Sequence, residues 1–278
     1  MKFTKMHGLG NDFVVVDTLE AQIDETRLPD VSRRLCDRHF GIGSDGLILV
    51  LPSRAANFRM RMLNPDGSEA EMCGNGIRCF GKYVYDHGLT KETALTVETL
   101  PGIQQLKLTV EAGKATALRV DMGEPRWSRA DIPMRGDNQP AVNETLKVEG
   151  ERLEVTCVSM GNPHCLVFVK SVDSCPVEKL GPAIETHNAF PQRTNVHFVE
   201  VLDSHALKVR TWERGAGITL ACGTGACACV VAAALTDRAS RSATVHLPGG
   251  PLEIQWQGHN HVVMTGPAEE VFHGEICL

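Results

Sequence analysis

The sequence predicts an α/β protein of two pseudo-symmetric domains, each a β-barrel-like sheet wrapped around a central helix. Three observations lead there. A chain of 278 residues is long for a single core. One short device, a cysteine directly before Gly-X-Gly, occurs twice: "MCGNGIRCF" at 72–80 and "ACGTGACAC" at 221–229, with Cys73 and Cys222 149 positions apart. The segments flanking the two copies also resemble each other in the same order, the mark of an internal repeat.

Taken along the chain, "GLGNDFVVVD" (8–17) echoes "SMGNPHCLVFV" (159–169), which places Asn11 opposite Asn162. "GLILV" (46–50) matches "NVHFV" (195–199) and pairs Gly46 with Asn195. "FRMRMLNPDGSEAEMCGNG" matches "LKVRTWERGAGITLACGTG"; both open with the period-2 alternation of a half-buried strand and turn through a Gly-containing loop. Asn64 and Glu213 stand nine residues before their cysteines. Downstream, "LTVETLPG" (95–102) echoes "ATVHLPG" (243–249), and "VDMGEP" (120–125) echoes "VVMTGP" (262–267). Helices are expected near 31–39 and 76–87 in the first half, and near 177–188 and 225–235 in the second. The last is apolar on every side, as suits a helix enclosed by sheet. The domains are expected at 1–122 and 123–267, with 268–278 returning to the first.

Composition narrows the function. Apolar residues make up 42% and charged residues 22%, ordinary for a globular protein. The net charge of −6 gives no support to nucleic-acid or membrane-surface binding. The longest apolar run, "ACACVVAAAL" at 226–235, is too short to span a bilayer, and "MKFTKMHGLGNDF" lacks an apolar targeting region. A cytoplasmic location with ten reduced cysteines is therefore expected.

Cys-Gly-X-Gly at a helix start carries chemistry. Asn75 and Thr224 are the expected helix caps. The free N–H groups of a helix N-terminus bind carboxylate or phosphate, and a thiolate beside them is stabilised. Two such devices on two like domains supply two bases facing across a cleft. That suits inversion of a stereocentre, one thiolate taking a proton from one face while a thiol returns one to the other. No pyridoxal-phosphate lysine motif, dinucleotide-binding glycine pattern or P-loop is visible, so the reaction would need no cofactor. A Cys-rich metal-binding protein is the alternative of another class. The C-x5-C and C-x4-C-x-C spacings do not match paired zinc ligands, and no C-x-x-C is present for a redox dithiol. No metal is expected. Cys36, Cys79, Cys157, Cys165, Cys175, Cys227, Cys229 and Cys277 read as packing residues.

The stretches "MHGLGNDFVVVD", "FGIGSDGLILV", "NPDGSEAEMCGNGIRCF", "GNPHCLVF", "RTNVHFVEV" and "WERGAGITLACGTGACA" closely resemble the diaminopimelate epimerase family across the whole chain. The related proline racemases carry a His where Asn75 stands. The resemblance implies interconversion of LL- and meso-diaminopimelate, on the route to lysine and peptidoglycan, with proline or hydroxyproline racemisation as the alternative. It assigns Cys73 and Cys222 as the acid/base pair and His164 and Glu213 as residues that tune them. It puts the reacting carboxylate on the backbone of Gly74, Asn75, Gly223 and Thr224. Asn64, Asn162, Asn195 and Arg214 would read the distal end, with Asn11 also in the pocket and Glu213 also binding substrate. It further implies a homodimer. Two departures stand out: many relatives have Gln at the place of Gly46, and some have Tyr at the place of Phe272.

Overall fold

A computed structural model describes residues 1–19, 24–70, 73–137 and 139–277. The chain divides into two compact units, Met1–Asp121 with Thr265–Leu278, and Met122–Met264. Leu278, the last residue of the expected returning segment, lies outside the described residues.

Unit 1 runs β1 (Lys2–Gly8), β2 (Asn11–Asp17), α1 (Leu28–Cys36), β3 (Gly46–Leu51), β4 (Phe58–Leu63), α2 (Gly74–Asp86), β5 (Ala94–Thr99), β6 (Gly102–Glu111) and β7 (Lys114–Asp121). Leu28, Val31, Ser32 and Leu35 give α1 one buried face, and it packs over Val14, Leu47, Leu49 and Leu63. The sheet alternates antiparallel β1–β2, parallel β2–β3, antiparallel β3–β4, parallel β4–β5 and antiparallel β5–β6–β7. It wraps around α2, which packs against β1 through β4, β6 and β7. Burial of α2 is nearly complete over its first ten residues. Gly88, at φ +74, turns the chain away just past its end.

Unit 2 runs β8 (Glu144–Val148), β9 (Glu151–Ser159), β10 (Pro163–Phe168), α3 (Val177–Glu185), β11 (Asn195–Asp203), β12 (Ala206–Glu213), β13 (Gly217–Thr219), α4 (Gly223–Leu235), β14 (Ser242–Leu247), β15 (Gly250–Trp256) and β16 (Val262–Gly266). Its pairings repeat those of unit 1: antiparallel β9–β10, parallel β10–β11, antiparallel β11–β12, parallel β12–β14 and antiparallel β14–β15. The apolar α4 lies against β9 through β12, β14 and β15. A final strand, β17 (Glu269–Glu275), pairs antiparallel with β1 in unit 1. There the Met1 amine donates to the Ile276 carbonyl at 2.7 Å, and Arg34 donates to the Cys277 carbonyl at 3.0 Å.

The helix starts differ from expectation. α2 begins at Gly74 and α4 at Gly223, so Asn75 and Thr224 lie inside the first turn. The caps are the cysteines themselves, held in extended backbone at φ −134 and φ −124. The reason is local: the small glycine after each cysteine enters the helix at once, and Cys73 Sγ takes the cap's place by accepting from the Gly76 N–H at 3.4 Å. Among the described residues no disulfide is present. No helix among them is long and apolar enough to cross a membrane.

Candidate active site

In unit 1 the tight turn at Leu9 and Gly10, both at positive φ, joins β1 to β2 and delivers Asn11 beside the start of α2. Asn11 Oδ1 accepts from Asn75 Nδ2 at 3.0 Å and lies 3.7 Å from Cys73 Sγ. Asn11 Nδ2 donates to Asp45 Oδ2 at 2.7 Å. Behind Asp45 stands an ionic group: Arg38 reaches both Asp12 and Asp45 at 2.7 Å, and Lys5 pairs with Asp12 at 2.5 Å. Burial would raise the Asp12 carboxyl, but the hydrogen bonds of Arg38 and Lys5 outweigh it and hold its pKa at about 2.

A second support comes from within α2. Arg78 is fully buried and donates to Asn75 Oδ1 at 3.0 Å, to the Gly74 carbonyl at 3.1 Å and to the Pro267 carbonyl at 3.0 Å. Its guanidinium fixes the Asn75 amide with the nitrogen turned to Asn11. Asn11, Cys73, Gly74 and Asn75 thus form one cluster. Asn64 is engaged elsewhere: its Nδ2 donates to Ser68 Oγ at 3.0 Å, and its backbone closes the 64–68 turn. Gly46 sits where a Cβ would lie 3.0 Å from the Leu63 carbonyl, so this wall of the unit is tight.

In unit 2, Gly161, at φ +92, turns the chain so that Asn162 immediately precedes β10 and His164 lies within it. His164 Nε2 bonds Asn162 Oδ1 at 2.9 Å, Asn162 Nδ2 donates to Thr224 Oγ1 at 3.3 Å, and Thr224 Oγ1 lies 3.6 Å from Cys222 Sγ. Asn195 ties two strands together, donating to the Pro163 carbonyl at 2.9 Å and accepting from the Arg214 N–H at 3.0 Å. Arg214 also donates to the Gln192 carbonyl at 3.3 Å, and Glu213 accepts from Thr219 at 2.5 Å. Asn162, His164, Cys222, Gly223 and Thr224 therefore lie together, with Asn195 at the start of β11 and Glu213 and Arg214 at the end of β12 beside them. Burial, then His197 and Arg214, push the His164 pKa well below the ordinary value, so the ring is neutral.

Three residues that sequence reasoning passed over belong to these clusters. Arg78 reads as an ordinary charge on a helix. His197 reads as one polar residue in a strand, yet it is fully buried and its Nε2 lies 2.9 Å from His164 Nδ1. Asp45 looks like a turn residue. The partners of each are remote in sequence, and the one available signal was the place of His197 in the "NVHFV" repeat.

The remaining cysteines behave differently. Burial pushes the Cys79 thiol up to about 12 and the Cys229 thiol well above its usual value, and the Cys157 contact together with burial does the same to Cys165. Such thiols are poor bases and poor nucleophiles at neutral pH. Among the described residues, His164, His197 and Cys222 bring possible metal-binding atoms within 4.8 Å of one another. The facing nitrogens of the two rings are hydrogen-bonded to each other, and their outer nitrogens to Asn162 and Thr211. All four nitrogens are thus used within the protein.

Two like units, each with a cysteine capping an enclosed helix, give the chain a fold shared with solved racemases and epimerases. The solved structure of a phenazine biosynthesis protein of the PhzF family from Bacillus anthracis matches with TM-score 0.74 at 19% identity, covering 100% of this chain and 99% of that one. A probable proline racemase from Agrobacterium radiobacter K84 matches with TM-score 0.72 at 16% identity, covering 100% and 93%. The family model "Diaminopimelate epimerase" matches residues 3–128 and 156–271. Diaminopimelate epimerases from Moorella thermoacetica and Acetivibrio thermocellus are 56% and 55% identical to the chain over 279 residues; each alignment covers 100% of this chain, and 100% and 99% of those proteins respectively. The chain belongs to the diaminopimelate epimerase family.

Proposed function

We propose that this protein interconverts LL- and meso-diaminopimelate by a two-thiol acid/base reaction that needs no organic cofactor. The observation that carries the reading is the repeated helix start, where Cys73 and Cys222 each cap an enclosed helix in matching sheets. In the reaction one cysteine, as thiolate, removes the α-proton. The other, as thiol, delivers its proton to the opposite face of the same carbon. The two sulfurs end with their protonation states exchanged, and atoms and charge balance.

The developing carbanion is adjacent to the α-carboxylate. The N–H groups of Gly74, Asn75, Gly223 and Thr224, at the positive ends of α2 and α4, would hold that carboxylate and take up the charge that spreads onto it. Arg214 supplies a planar cation for the distal carboxylate, with Asn64, Asn162, Asn195 and Glu213 reading the distal amino acid and Asn11 orienting the Cys73 side. His164 and Glu213 tune the thiols. The same reading implies a cytoplasmic homodimer, for which β17 supplies exposed Val271 and Phe272.

The test is direct. Purified protein is incubated with LL-diaminopimelate without added cofactor, and the meso isomer is sought by chiral separation, with proline and trans-4-hydroxyproline run beside it. Appearance of the meso isomer alone is expected. Turnover of proline or hydroxyproline in its place moves the protein to the racemase branch.

A further inference from the structure

With the Asn162 amide oriented Nδ2 to Thr224 and Oδ1 to His164, the hydrogen bonds behind Cys222 run in one direction. Asn162 Oδ1 can only accept, so His164 Nε2 carries the proton that bonds it. In a neutral imidazole the other nitrogen is then an acceptor, and His164 Nδ1 must receive the proton of His197 Nε2. By the same rule His197 Nδ1 accepts from the Thr211 hydroxyl at 3.0 Å. At the other end, Asn162 Nδ2 donates to Thr224 Oγ1, which occupies a lone pair of that hydroxyl and lets its proton point to Cys222 Sγ.

The fold does not require this polar chain. In unit 1 Phe13 precedes β3's partner register as His164 does in unit 2: Phe13 stands opposite Gly46, and His164 opposite Asn195. Ile48 pairs with Met62 across β3–β4, as His197 pairs with Thr211 across β11–β12. The same three places are thus Phe13, Ile48 and Met62 in one unit, and His164, His197 and Thr211 in the other. All six are buried. Gly225 makes room for the ring of His197, since a Cβ there would come within 2.2 Å of His197 Cε1. A buried polar chain is no more stabilising than well-packed apolar side chains of similar size, and unit 1 shows that apolar ones fill these places.

We propose that His197 and Thr211 are positioning residues for Cys222: the chain Thr211–His197–His164–Asn162–Thr224 holds a hydroxyl proton toward its sulfur and so raises its reactivity as a thiolate. This rests on the reading of Cys222 as an acid/base residue. Within unit 2 the titratable groups of the chain are His164, His197 and Cys222 itself, and the cation that acts on it is Arg214.

The test reads the sulfur without turnover. Alkylation by iodoacetamide is followed at one fixed, near-neutral pH, and peptide mass spectrometry gives the rate at Cys73 and Cys222 separately. His197→Ile with Thr211→Met installs the side chains that unit 1 carries at these places. Thr211→Val is a milder break that keeps the shape, and Thr211→Ser keeps the hydroxyl. In both breaking variants the Cys222 rate is expected to fall about fivefold, the size of one net hydrogen bond, with Cys73 unchanged. Thr211→Ser should restore the Cys222 rate. A wild-type Cys222 rate in both breaking variants would overturn the proposal. So would an equal slowing of Cys73, because a chain confined to one unit cannot act on both sulfurs. Because no substrate is used, this result stands apart from the outcome of the diaminopimelate assay.

Discussion

Unit 1 and unit 2 share strand pairings, helix placement and a cysteine cap, yet they support that cysteine by opposite means. Beside Cys73 lies the acceptor Asn11 Oδ1, backed by Asp45, Arg38, Asp12 and Lys5 and braced by the buried Arg78. Beside Cys222 lies the hydroxyl of Thr224, backed by Asn162 and two neutral histidines. One support is ionic and reaches the surface through Arg38; the other is neutral and buried. The comparison teaches that a repeat conserves the backbone device, the helix start that places sulfur beside its first N–H groups, and leaves the side chains behind it to differ. Two sulfurs that must alternate as base and acid can then be tuned separately.

The largest expected effect tests whether the two sulfurs act as one unit. Serine keeps the shape of cysteine but is a far weaker acid, and it does not rest as an anion at neutral pH. Cys73→Ser and Cys222→Ser should each lower epimerisation by roughly 10³-fold, and the double variant by little more. Each single variant keeps a base on one face. Wash-in of solvent deuterium at the α-carbon should therefore persist from one isomer only, a different isomer in each variant. The same isomer preference in both would leave one of the paired sulfurs outside the chemistry.

A smaller effect separates the two helix starts. At Gly225 an added Cβ would meet the His197 ring at 2.2 Å, whereas at Gly76 it would meet Ile48 Cδ1 and Met62 Sδ at 3.3 Å. Gly225→Ala should destabilise unit 2 by about 1–3 kcal/mol through overpacking. In Gly76→Ala the gain in helix propensity, about 1 kcal/mol, offsets the tighter contact, and stability should stay within about 1 kcal/mol of wild type. Denaturant titration of both variants decides it; equal losses would mean that the His197 ring does not control the space at the start of α4.

A further effect emerges only in acid. Burial lowers the His197 pKa from 6.5 to about 3. The unfolded chain therefore takes up this proton first. The stability tied to neutral His197 is complete above pH 6.5 and is lost as pH falls from 6.5 toward about 3. Asp12 is depressed from 3.8 to about 2, so its contribution is present above pH 3.8 and is lost only below that. Acid should weaken unit 2 before unit 1. In thermal unfolding from about pH 7 down to about pH 4, His197→Gln should show a shallower fall of Tm than wild type. An unchanged slope would show that His197 does not carry the acid sensitivity.

Alternation and apolar runs are properties of neighbouring residues, so strands such as β4 and β12 and the enclosed α4 could be read directly. The expected helix at 31–39 is found at Leu28–Cys36, earlier because Pro29 is tolerated in the first turn and Leu28 already belongs to the buried face. Polar side chains are the usual caps, so the sequence points to Asn75 and Thr224. The folded chain gives that place to the cysteines, Cys73 capping with its sulfur, since the glycine after each cysteine enters the helix.

By itself the sequence determined the doubling, the two cysteines 149 positions apart and the family, because these are patterns of order and spacing along one chain. The tertiary structure alone decided what stands behind each cysteine. Arg78 finds the Pro267 carbonyl 189 positions away, His197 finds His164 33 positions away, and Thr211 meets His197 through the register of β11 and β12. Hydrogen bonds of this kind depend on distance and angle in space, and a tautomer is fixed only when both nitrogens of a ring have met their partners.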